Sequence, residues 1–462
     1  MHIIFRSTLV WLALLCSPAA MSADLNEVYQ MALNSDPLLR EAAANRLASS
    51  EASPQARSAL LPQITGSYSR GQGDSTGSST FQTEVPPGSG IIETVTADFA
   101  SDVSSSTTWR IDLQQPLFRW DRIIGLKQAS RRVAQAEVDY QAAQQDLMLR
   151  VAEAYFNVLA AQDTLDADVA NKDATKRQLE QAEKRFEVGL IAITDVLEAQ
   201  AAYDLAVATD IGAQRVLSTA RESLREITST YIEELQRPGE GLPLVHPDPD
   251  SPDDWVEHAM KNNLALNSTR IQSDIAKDQI KINRAGHLPT LDLLATRSGS
   301  DQQATRSDAG SPFAPADSAS NSTSISLQLN IPIYSGGFTS SNTRQAVYEH
   351  RAARERVERV ARETERSTRD AYEAVLSQIA RVRALRRAVE SNEKALQASE
   401  AGFEVGTRTT VDVLNARQGL FRARTDYART RYDYIVNVLR LKQAAGSLSA
   451  KDIAEVNSWL AR

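Results

Sequence analysis

A single cysteine, Cys16, occurs in 462 residues, so neither a disulfide framework nor a thiolate metal site can be built. Of the histidines, His246, His258, His287 and His350 are too far apart to share a metal ion or a proton relay. No glycine-rich phosphate loop, nucleophile elbow or paired-carboxylate motif is present. These absences leave no grounds for an enzyme or a cofactor. Basic residues do not cluster either: 51 Lys and Arg are interleaved with 59 Asp and Glu, for a net charge of −8, which gives a nucleic acid nothing to bind. Nor does any run of about 18 apolar residues follow the N-terminus, so no helix is expected to cross a bilayer. A crossing would have to be made by β-strands in a closed barrel. Glycine is scarce, at 20 residues, and aromatics make up 6%. Where Ala, Arg, Gln, Glu and Leu take their place, long rod-like helices are the expectation.

Residues 1–23 read as a signal peptide. Arg6 supplies the positive end, Leu9 to Leu15 an apolar stretch too short to span a membrane, and Ser17 to Ala23 the small-residue cleavage region. Leu15 precedes Cys16 where a lipidation site needs a small residue, so no lipid anchor is expected.

Beyond Ala23 the pattern is helical, with Leu25, Val28, Tyr29, Ala32 and Leu33 on one face; Asn34-Ser-Asp-Pro37 interrupts it once before it resumes to about residue 54. The period then changes from 3.6 to 2. Ile64, Gly66 and Tyr68 alternate with Thr65, Ser67 and Ser69, which predicts a strand over about 63–73. The Gly/Ser/Thr-rich stretch from Gly71 to Ser106 reads as a long exposed loop. A second strand is expected over about 106–117, with Trp109, Ile111 and Leu113 on one face. After Pro116 the helical period returns, free of proline and glycine between Gly125 and Gly189. Val133, Ala136, Tyr140, Ala143, Leu147, Val151, Ala154, Val158, Ala161 and Leu165 form a heptad seam with one stutter. A helix over about 121–186 would be roughly 100 Å long. It must pack against similar rods.

The rod ends in a stretch that occurs twice. Phe186-Glu-Val-Gly-Leu-Ile-Ala-Ile-Thr194-Asp195 returns as Phe403-Glu-Val-Gly-Thr-Arg408-Thr-Thr-Val-Asp412, 217 residues later. In each copy a glycine closes one helix and a Thr/Asp or Asp residue opens the next, so each is the tip of a helical hairpin. Val188, Gly189 and Leu190, and in the second copy Val405, Gly406 and Thr407, are the outermost residues. The rest repeats too. Leu288-Pro289-Thr290 echoes Leu61-Pro62-Gln63, strands are expected over about 289–298 and 322–333 around a loop from Ser298 to Asn321, and Ile325, Leu327, Leu329 and Ile331 share one face. Val357, Val360, Ala371, Val375 and Val382 repeat the seam. The halves span 24–237 and 252–450, with a proline-rich acidic linker at 238–251 and a last segment at 451–462. Ser251-Pro252 reopens the helical pattern as N-cap and first turn.

Four strands of about ten residues, apolar on one face, have the texture of outer-membrane strands. Four cannot close a barrel, and lipid forbids an open edge. Several chains must therefore share one barrel if the strands are read correctly.

The duplicated unit, both tips and the strand entry Gly286-His-Leu-Pro-Thr-Leu-Asp-Leu293 resemble the TolC-type outer membrane efflux proteins, over essentially the whole chain after the signal and on the branch without a lipid anchor. The resemblance implies a mainly α chain with membrane β: a homotrimer in which four strands per protomer complete one β-barrel in the outer membrane of a Gram-negative cell, and the long helices form a coiled-coil α-barrel in the periplasm. The linker and C-terminal segment would lie in a belt around it. The function implied is the exit duct of a tripartite efflux pump or type I secretion system, opened at its periplasmic end by an inner-membrane transporter and an adaptor protein that docks at the tips. It needs no cofactor. A soluble periplasmic coiled-coil adaptor or scaffold is the alternative, against which two lipid-facing hairpins weigh.

The resemblance also assigns residues. Asp412 and Asn415 share a helix face and match a pair of aspartates at the pore constriction; Asn415 halves the charge of that ring. On spacing alone, Asp412 is equally an ordinary helix-start carboxylate. Arg408 matches a gate-latch arginine facing Thr194 and Asp195, and Phe403 stands where the family has a latch tyrosine, so one hydroxyl bond is missing. Without the resemblance, Arg408 reads as a solvated surface charge.

Overall fold

The computed structural model describes residues 22–239, 242–308, 311–312 and 316–460. The signal peptide, with Cys16, lies outside them except at its last two residues. In chain order the elements are α1 (Leu25–Ser35), α2 (Pro37–Ser50), α3 (Ala52–Ser58), β1 (Gln63–Glu84), β2 (Ile92–Phe118), α4 (Trp120–Glu187) and α5 (Ile193–Thr228), then α6 (Pro252–Asn262), α7 (Leu264–Ala285), β3 (Thr290–Asp308), the two-residue β4 (Ser311–Pro312), β5 (Ala316–Asn330), α8 (Phe338–Glu404), α9 (Thr410–Ala444) and α10 (Ala450–Ser458). The order helix, strand pair, long helix, return helix occurs twice. Among the described residues no helix is long and apolar enough to cross a membrane.

The contacts divide the chain into two compact units. One comprises 47–136 and 270–355 and is built on an antiparallel sheet in the order β1-β2-β3, with β5 on the far side of β3 and β4 extending its tip. Register places the alternating apolar residues on one face: Ile64 is opposite Leu113, Tyr68 opposite Trp109, Leu113 opposite Ala295, and Ala295 opposite Ile325. Leu293 faces Leu327 and Leu291 faces Leu329 on the same side. That face is open to its surroundings, with Ile325 74% and Leu327 66% exposed. The other face is polar, and Thr296 donates to Asp112 Oδ1 across strands at 2.7 Å.

The strands are longer than their apolar alternation. β1 runs to Glu84 and β2 starts at Ile92, so most of the stretch expected to be a loop is a paired ribbon; likewise β3 reaches Asp308 and β5 starts at Ala316. The backbone ladder continues through sequence rich in Gly, Ser and Thr, where the period-2 signal is weak. At its other end β5 stops at Asn330, before Pro332.

The second unit comprises residues up to 46, 137–269 and 356–462. Leu147, Val151, Ala154, Val158 and Ala161 of the α4 seam are buried, with Val375 and Val382 from α8. The core continues through Leu217 and Leu224 of α5, Tyr434, Ile435 and Leu439 of α9, and Ile453 and Val456 of α10. Phe156 stacks on Tyr432 with centroids 5.7 Å apart, and Tyr432 donates to Asp163 at 2.5 Å, tying α9 to α4. The Tyr155 hydroxyl donates to the carbonyls of Gln236, at 2.7 Å, and Ala23. The N-terminal helix breaks at Asp36-Pro37 and also, against the single interruption expected, at Glu51. Ser251 caps α6 by accepting from Asp254 N–H, with Pro252 at the first turn.

Candidate functional site at the two hairpin tips

Each tip is closed by a glycine in the left-handed region, Gly189 at φ +74° and Gly406 at φ +78°, where a side chain would be strained. At the first tip Leu190 N–H donates to Arg185 C=O at 2.9 Å, and at the second Thr407 N–H donates to Gly402 C=O at 2.8 Å. These bonds satisfy carbonyls that the helix end would leave free. Val188, Leu190 and Val405 stand exposed beside the two glycines.

The return helices start differently. Ala192 is the N-cap of α5 and has no side chain to bond; Asp195 Oδ2 accepts from Ala192 N–H at 3.2 Å, and Thr194 takes no part. At α9 the cap is complete. Thr409 Oγ1 accepts from Asp412 N–H, and Asp412 Oδ2 accepts from Thr409 N–H at 2.9 Å and from its hydroxyl at 3.0 Å. The Thr409 backbone bond first, then the hydroxyl and the nearby Arg408 guanidinium, hold the Asp412 carboxyl below the usual aspartate range. Asp412 is thus a helix-start carboxylate in this chain. Asn415, one turn on, is exposed along a groove between α9 and α5 whose walls include Leu205, Ala206 and Phe421.

Arg408 lies within 3.9 Å of Asp412, an exposed pair of small energetic weight. Among the described residues it makes no bond to Thr194 or Asp195, so the chain by itself does not assemble the expected latch. Its position depends on Gly402: a Cβ there would come within 2.7 Å of Arg408 Cγ. Phe403 lacks a hydroxyl but is not idle. The Arg185 guanidinium of the first tip sits 4.8 Å from its ring centroid, joining the two tips through a cation–π contact.

A further tie was not foreseen from sequence. Arg417 of α9 is largely buried and bonds two other helices: Nη1 donates to Ala174 C=O and to Gln178 Oε1 of α4, both at 3.2 Å, and Nη2 to Glu400 of α8 at 2.7 Å. It lines a groove of about 550 Å³ with Gln178, Arg185, Glu400 and Phe403. Only its place about one and a half turns beyond Asp412, among small and polar residues, could have marked it. Farther from the tips, Lys172 of α4 and the buried Asp210 of α5 pair at 2.5 Å. No group of His, Cys, Asp and Glu that could hold a metal occurs among the described residues.

Comparison with known proteins agrees with the duplication. The family model of the outer membrane efflux protein matches residues 28–230 and again 255–447. The outer membrane protein TolC of Vibrio cholerae serotype O1 is 37% identical over 448 residues, covering 96% of this chain and 95% of that one. TolC of Escherichia coli is 36% identical, covering 96% and 87%. The crystal structure of the Campylobacter jejuni CmeC outer membrane channel superposes with a TM-score of 0.71 at 16% identity, over 95% of this chain and 90% of that one, and shares the fold. A chain matched twice by one family model, and to relatives over nearly its whole length, belongs to the outer membrane efflux protein family and is a TolC-family channel of the outer membrane.

Proposed function

We propose that the channel works as a homotrimer, in which three copies of the four long strands close one β-barrel and the long helices form the wall of a periplasmic tunnel. The observation that carries this reading is the sheet itself. Among the described residues β1 and β5 are each paired on one side only, and the apolar face they border is exposed. In lipid an unpaired edge is costly, and self-association of identical edges removes it. Light scattering of the detergent-extracted protein should give three chains of about 50 kDa each; a stable monomer overturns the reading.

The tips form the entrance. In the assembled trimer Asp412 and Asn415 line the constriction, three carboxylates and three amides around one axis, which attracts cations into the pore. Arg408 engages Thr194 and Asp195 of the facing hairpin when the entrance is closed. Arg185 against Phe403 and Arg417 against Gln178 hold the second hairpin to the first within each chain. An inner-membrane transporter and a periplasmic adaptor dock at Val188–Leu190 and Val405–Thr407 and open the entrance, for export of a protein or a small molecule. The channel itself carries out no chemistry. Planar-bilayer recordings test the entrance: wild-type protein should give a small, cation-preferring conductance that rises when the latch residues are replaced.

A further inference from the structure

We propose that the outer rim of the sheet's apolar face binds the phosphate of a membrane lipid, through Arg297, Trp109 and Asn321 grouped around Gly299. The proposal rests on the reading that this face meets lipid.

Register places the three residues together. Trp109 of β2 is opposite Gly299 of β3, which is opposite Asn321 of β5; Arg297, two residues before Gly299, is on the same face, between Ile111 and Thr323. On one side of this group the face is apolar: Ala295 beside Leu113 and Ile325, then Leu293 beside Leu327, then Leu291 beside Leu329. On the other side the rows become polar, starting with Thr107, Asp301 and Ala319. The group therefore marks the boundary of the apolar band.

Gly299 allows the convergence. A Cβ at this position would lie 2.3 Å from Trp109 Nε1 and 2.8 Å from Asn321 Oδ1, so only a glycine leaves room for the indole and the amide on either side of it. No other residue type fits without moving both. Among the described residues neither side chain has a hydrogen-bond partner, and exposed Arg297 has no ion pair among them either. Asp301 of the next row is the nearest carboxylate on this face, two residues beyond Gly299, about 7 Å along the strand, and four residues from Arg297.

The donor set selects the ligand. An indole N–H can only donate, and a guanidinium offers a planar fork matched to phosphate oxygens, while the Asn321 amide, whose Oδ1 is the atom beside Gly299, borders them. Tyr68, exposed and opposite Trp109, adds the second ring of an interfacial aromatic pair. An arginine at the edge of an apolar band turns its head to the polar boundary, where lipid phosphates lie. A free anion would have no use for the apolar rows beneath the group. The lipid's chains would cover them.

The test uses full-length protein purified from membranes and stripped of lipid by detergent exchange. Binding of the phosphorylated glycolipid lipid A is measured by native mass spectrometry, beside its phosphate-free analogue and with inorganic phosphate as competitor. Wild type should bind lipid A and not the analogue, and inorganic phosphate should not displace it. Arg297→Gln should bind about tenfold more weakly, the loss of one charge-assisted bond. Trp109→Phe should lose less, and Arg297→Lys should recover part of the loss. Equal binding by Arg297→Gln, equal binding of the analogue, or displacement by inorganic phosphate each overturns the proposal. Failure of wild type to insert into vesicles would refute the membrane reading instead; insertion with unchanged binding by Arg297→Gln would refute the site alone.

Discussion

Replacing Arg417 by alanine removes three hydrogen bonds from a largely buried guanidinium: two to α4, at Ala174 and Gln178, and one to Glu400 of α8. Their weight on the gate depends on which of them opening breaks, because only the difference in contacts between closed and open states shifts the balance. Glu400 and Arg417 lie on the two arms of one hairpin and move together. The bonds to α4 cross to the other hairpin and are lost when the hairpins part. At about 1 kcal/mol each, two such bonds favour the closed state by about 2 kcal/mol per chain, close to thirtyfold in its population. In a trimer three copies act at once. Arg417→Ala should therefore give a larger and longer-lived conductance in planar bilayers than wild type, with trimers still intact on light scattering. Arg417→Lys keeps the charge, loses the fork and should fall between the two. Unchanged conductance and open time in intact Arg417→Ala trimers would show that this residue holds the helices together without holding the gate.

Asp412→Asn keeps an acceptor for Thr409 N–H and removes the charge, so it should abolish cation preference at a small cost in thermal stability, because the charged form is the one the cap favours; Asn415→Asp should strengthen the preference, and unchanged reversal potentials in both would remove these residues from the pore. Gly402→Ala places a Cβ against Arg408 Cγ and should raise conductance as Arg408→Ala does, while an effect of neither would eliminate Arg408 as a latch. Asp36 is buried, and although burial pushes its carboxyl up, the Arg150 fork at 2.9 and 3.1 Å and the Leu39 N–H hold it below the ordinary value. Its contribution to stability is therefore complete above the unfolded aspartate value of about 3.9 and is lost as pH falls through the lower folded value; the unfolding midpoint should drop with pH in that window, and Asp36→Asn should flatten the drop.

The long helices were legible because their seam is periodic over many turns: Leu147, Val151, Ala154 and Val158 are buried where the heptads place them. The strands were legible only in part. Ile64, Ile111 and Ile325 announce one face of the sheet, but between Gly71 and Ser106 the few apolar residues, Phe81, Val95 and Phe99 among them, are outnumbered by Gly, Ser and Thr, which read as loop although the backbone is paired. The tips were found through repetition, which locates a site without saying what its residues touch. Asp412 illustrates the limit. Its spacing from Thr409 is that of a capping box, and the structure contains that box; a role at a pore depends on other copies of the chain. Arg417 was missed because an arginine on a polar helix face has no pattern, and its three acceptors come from two other helices.

The two tips descend from one sequence yet are held to different degrees, and the difference bears on which of them moves as a unit. The first has one side-chain cap bond, from Ala192 N–H to Asp195 Oδ2. The second has the full box of Thr409 and Asp412, a Thr407 hydroxyl bond to Gly402 C=O, and the Arg408 side chain lying across Gly402. Arg417 and Glu400 then join its two arms. A hairpin braced in this way transmits a push at Val405 to the helices behind it rather than fraying at the turn. The ties that bind it to the first hairpin are side-chain contacts, Arg185 to Phe403 and Arg417 to Gln178, each weak enough to break and remake. Firm bonding within the second hairpin and modest bonding across to the first is the combination that lets an entrance open by rigid displacement without local unfolding.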